Sequence, residues 1–92
     1  MIYKVETKDV SRDNGNIVII MTLKAYEQSD TGRTLVHSKD FAQTYTPGGD
    51  KTIILSNFVT DMKAQIDIWE SEEAYFEKLA NVIENKLNRS IS

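Results

Sequence analysis

Ninety-two residues and 10.5 kDa provide for one small domain and not for two. An apolar share of 40% is enough for a core and argues against intrinsic disorder, while the absence of cysteine excludes disulfides and thiolate metal sites. Eleven Lys+Arg against fourteen Asp+Glu leave a net charge of -3, opposite in sign to the basic footprint of a nucleic-acid binder.

The chain begins with Tyr3, Val5 and Thr7 alternating with Lys4, Glu6 and Lys8. That period of two predicts a half-buried strand over about residues 2–9. Asp13-Asn14-Gly15-Asn16 is the strongest turn signal, because Asn-Gly suits the positive φ values of a type I′ hairpin. A second strand is expected over about 17–27, then a turn at Ser29-Asp30-Thr31-Gly32. The third strand, over about 34–45, is rich in β-branched and aromatic residues. Together these three predict an antiparallel meander.

Thr46-Pro47-Gly48-Gly49 ends the third strand, and Asp50 is placed to cap a helix. Leu55, Phe58, Met62, Ile66 and Trp69 recur at spacings of three and four, with Ile54 and Val59 widening the stripe. This predicts an amphipathic helix over about 51–69, with Trp69 largely buried. Ser71, Glu72 and Glu73 read as a second helix start, a cap followed by acids near the positive end of the dipole. Phe76, Leu79, Val82, Ile83 and Leu87 form the apolar face of that second helix, over about 72–88. A single helix from Lys51 to Asn88 would run about 57 Å, long for so small a domain, so a break is expected near 70–72. The expected fold class is α+β, one domain over 1–92: a three-stranded antiparallel β-meander followed by two C-terminal α-helices, order βββαα.

No basic n-region followed by an apolar stretch opens the chain. Its longest apolar run, Ile17 to Met21, is five residues, against the roughly 20 that span a bilayer. A cytoplasmic protein with no membrane partner is therefore expected. A lean toward Ile and Lys, with few Arg and one Pro, matches AT-rich coding DNA and suggests a bacterial or phage source.

Chemistry-bearing patterns are sparse. A zinc site needs several Cys or His ligands, and the chain has one histidine, His37. Asp9, Asp13, Asn14 and Asn16 lack the register of a Ca²⁺ loop. His37 and Ser38 are adjacent in a strand and point to opposite faces, so they do not form a nucleophile–base pair. Asp50 stands where a phosphate loop needs a glycine before the lysine, and would repel the anion. No catalytic residue, cofactor or metal is expected, and the chain reads as a non-enzyme.

Nucleic acid is the alternative partner, through the sheet face. Lys4, Lys8, Arg12, Lys24, Arg33 and Lys39 are matched there by Glu6, Asp9, Asp13, Glu27, Asp30 and Asp40, which makes that binding a poor expectation. Asp61, Asp67, Glu70, Glu72, Glu73 and Glu77 against Lys63 make the helical region acidic, as a solvated face or a surface for a basic partner. Within the Ile17–Met21 run, Ile17, Ile19 and Met21 face one way and Val18 and Ile20 the other. Helices on one side of a sheet leave its second face uncovered, so that either one helix crosses to bury it within the monomer or another chain covers it. The candidate interaction surface is accordingly Val18, Ile20, Val36 and Ala42. The function expected is that of a protein-interaction or assembly module, working as a homo-oligomer, with a dimer favoured, or by binding another protein.

Overall fold

The computed structural model describes residues 1–91. Four elements follow one another: β1 (Ile2–Asp13), β2 (Asn16–Ser29), β3 (Gly32–Tyr45) and α1 (Lys51–Ile91). The strands form one antiparallel sheet in the order β1-β2-β3, so the apolar β2 is central and both flanking strands are edges. This is the expected α+β arrangement of a meander followed by helix.

The strands are longer than the alternation alone predicted, because both hairpins are tight. Asn14 and Gly15 take φ values of 51° and 83°, as a type I′ turn requires, and Asp13 pairs directly with Asn16. At the second hairpin Ser29 pairs with Gly32, whose φ of 130° an L-residue rarely adopts. The Ser29 hydroxyl also donates to the Gly32 carbonyl at 3.1 Å. Leaving β3, Thr46-Pro47-Gly48-Gly49 makes a type II turn, with Pro47 second, Gly48 third at φ 86°, and Gly49 N–H donating to Thr46 O at 2.8 Å. Asp50 then caps α1: its Oδ1 accepts the Thr52 N–H at 2.9 Å.

One expectation is overturned. The C-terminal half is not two helices but one, 41 residues from Lys51 to Ile91, about 61 Å long at 1.5 Å per residue. Ser71, Glu72 and Glu73 lie inside it. No glycine or proline occurs after Gly49, and glutamate favours a helix interior almost as well as a first turn. The local signal for a new start was equally compatible with no start at all.

The chain divides into two compact units, the first Met1–Met62 and the second beginning at Lys63. The first holds the sheet and the opening turns of α1. Strand pairing assigns Ile17, Ile19, Met21, Leu23 and Ala25 of β2 to one face, with Tyr45, Gln43 and Phe41 of β3 beside them. Onto this face comes the start of α1: Asn57 donates to Gln43 at 3.2 Å, and Lys51 and Ile54 line an open apolar notch with Ile17, Ile19 and Tyr45. Leu23, Ala25, Phe58 and Met62 are buried. The second unit is helix alone, and in it Trp69 is 7% exposed.

Candidate interaction surface

The opposite sheet face carries Val18, Ile20, Thr22 and Lys24 of β2. Ala42 pairs with Ile20, and Thr44 with Val18, so Val18, Ile20 and Ala42 do come together. Val36 does not. Ala25 pairs with His37 and Tyr26 with Leu35, which leaves Val36 as the extra residue of a β-bulge. It lies six residues from Ala42 along β3, roughly 20 Å away. Val18, Ile20 and Val36 are each half-buried within the single chain, and Ala42 is exposed.

Polar side chains occupy the centre of this face. Thr22 donates from Oγ1 to Asp40 Oδ1 at 2.7 Å, and Lys8 pairs with the other oxygen of Asp40. Lys24 donates to Glu6 Oε2 at 2.8 Å. Hydrogen bonds from Lys8 and then from Thr22 hold the Asp40 carboxyl below its ordinary pKa. The Lys24 hydrogen bond lowers Glu6 and is matched by a raised Lys24. Thr22, beneath this cover, is buried. Lys8 is itself a bulge residue, between Thr7 opposite Met21 and Asp9 opposite Ile20. The polar centre therefore divides the apolar part of this face into two ends, Val18, Ile20 and Ala42 at one and Tyr26 with its strand partners Ile2 and Leu35 at the other.

The larger open apolar surface is on the helix of the second unit. Ile68, Tyr75, Phe76, Ile83 and Leu87 are each at least half exposed, and Val82 is 37% exposed. At 100° per residue they fall with Leu79 on one broad face of α1. Tyr75 and Phe76 meet edge to face, ring centroids 5.8 Å apart. Most of these residues were expected on a helix face, yet the candidate surface did not include them. The signal that would have found them is the helix itself: continued beyond the sheet-forming part of the chain, its stripe has no second layer in its own unit.

His37 is half-buried and pairs with Ala25; Ser38 pairs with Lys24 on the opposite face, beside Asp40 and Thr22. Among the described residues no group of three or more His, Cys, Asp or Glu is placed to hold a metal ion. None of the described helical segments is long and apolar enough to cross a membrane. No protein-family model matches the chain, and no curated protein or solved structure matches it.

Proposed function

We propose that this chain is a non-catalytic assembly module that acts by self-association. One observation carries the reading: Tyr75, Phe76, Ile83 and Leu87 stand at least half exposed along a helix that has no other element in its unit. Contiguous apolar patches on small proteins mark interaction sites, and a helix this long draws most of its stability from packing rather than propensity. Nucleic-acid association through the sheet is the weaker alternative. Lys8 and Lys24 on that face already pair with Asp40 and Glu6, so two of its cations are committed.

Light scattering on the intact chain at micromolar concentration tests the proposal. A mass at or above twice 10.5 kDa is expected, and a monomer sinks it. Salt-sensitive retardation of labelled DNA or RNA at about 50 mM salt would favour the alternative instead.

A further inference from the structure

We propose that the helix of the second unit pairs antiparallel with the same helix of a second copy of this chain. The contact is the face bearing Tyr75, Phe76, Leu79, Val82, Ile83 and Leu87, and Glu72 of each copy lies opposite Lys86 of the other. This rests on the self-association reading and adds the site and the orientation.

Charge sets the orientation. Between 63 and 77 the helix carries Asp67, Glu70, Glu72, Glu73 and Glu77 against Lys63. From 78 to 91 the balance reverses, with Lys78, Lys86 and Arg89 against Glu84. Parallel pairing would lay acidic stretch on acidic stretch, whereas antiparallel pairing lays each on the other's basic stretch. The pattern on the contact face agrees. Glu72 and Lys86 each lie seven residues from Leu79, on nearly the same line along the helix. Pairing centred on Leu79 therefore brings Glu72 to the partner's Lys86 twice. It also sets the aromatic pair Tyr75 and Phe76 against the aliphatic pair Val82 and Ile83.

Area permits a stable dimer. Tyr75, Phe76, Val82, Ile83 and Leu87 are all more than a third open, and two copies contribute each of them. At on the order of 100 Å² per side chain, the total approaches the roughly 1,000 Å² that a specific interface needs. The sheet offers less. Edge strand β1 is interrupted by the Lys8 bulge and carries Lys4 and Arg12, and β3 is interrupted at Val36, both devices that discourage edge pairing.

The chain has no cysteine, so an introduced thiol is unique. Glu72→Cys and Lys86→Cys variants are mixed and treated with a short bismaleimide. Antiparallel pairing predicts that the mixed 72–86 product dominates; dominance of 72–72 and 86–86 products overturns the orientation. In parallel, Glu72→Lys or Lys86→Glu alone should raise the dimer dissociation constant roughly three- to tenfold, and the double exchange should restore it. Phe76→Glu with Ile83→Glu should yield a monomer by light scattering, with the strand signal kept and the helical signal lowered because the partner's packing is lost. If that pair does not fold, cross-linking and the charge exchange decide. A wild-type monomer removes both this inference and the self-association reading. A dimer that survives Phe76→Glu/Ile83→Glu removes this inference alone.

Discussion

Thr22 and Asp40 face each other across the β2–β3 ladder, joined by a 2.7 Å hydrogen bond from a buried hydroxyl to an exposed carboxylate. This pair ends the apolar stretch of the second sheet face, because the residue after Ile20 on that face is a threonine whose partner strand supplies its acceptor. Thr22→Val keeps the β-branched shape and removes the donor. The expected cost is about 1 kcal/mol, read as a lower urea midpoint with an unchanged slope.

Acid should weaken the fold through three carboxylates. Asp40 and Asp50 lie below their ordinary 3.8, and Glu6 below 4.5, because each accepts hydrogen bonds in the folded chain. A depressed folded value contributes stability that is complete above the ordinary value and is lost as pH falls through the folded one. Lys24 has the opposite sign: its contribution is complete below 10.5 and is lost as pH rises through its higher folded value. Denaturation midpoints measured below pH 4 should fall steadily, and Asp40→Asn should flatten that acid limb.

Ser71 separates one helix from two. As the cap of a second helix it would lose about 1 kcal/mol on Ser71→Ala. Inside the continuous Lys51–Ile91 helix the same change should stabilise by up to about 0.5 kcal/mol, since alanine is the better helix former. Ser71→Pro should cost about 3 kcal/mol and reduce the far-ultraviolet helical signal.

Gly48 sits at φ 86° in the turn that delivers the chain to α1. Gly48→Ala should cost about 1–2 kcal/mol, because an L-residue is strained there whatever the free space. Thermal melts of the two proteins at one pH measure it.

Trp69 is 7% exposed. Its native emission should be blue-shifted relative to free tryptophan and should move red on denaturation. Trp69→Ala should cost about 3–5 kcal/mol, the range for large aromatics removed from buried sites.

Local chemistry made much of this fold legible. The Asn14-Gly15 hairpin, the Pro47-Gly48 turn and the Asp50 cap each depend on the φ/ψ preference or hydrogen bonding of a few neighbouring residues. Alternation along β2 likewise placed Ile17 and Ile19 on one face and Val18 and Ile20 on the other.

What the sequence determined by itself was therefore the element types, the turns and the composition of each face. Tertiary structure decided which faces meet. Bulges at Lys8 and Val36 moved side chains along and across the sheet, bringing Lys8 to Asp40 and separating Val36 from Ala42. Whether the helix stopped at Ser71 could not be read locally, because serine and glutamate suit both a cap and an interior. The open stripe from Tyr75 to Leu87 was hidden for a related reason: hydrophobic periodicity shows that a helix has an apolar face, but only the folded chain shows whether anything covers it.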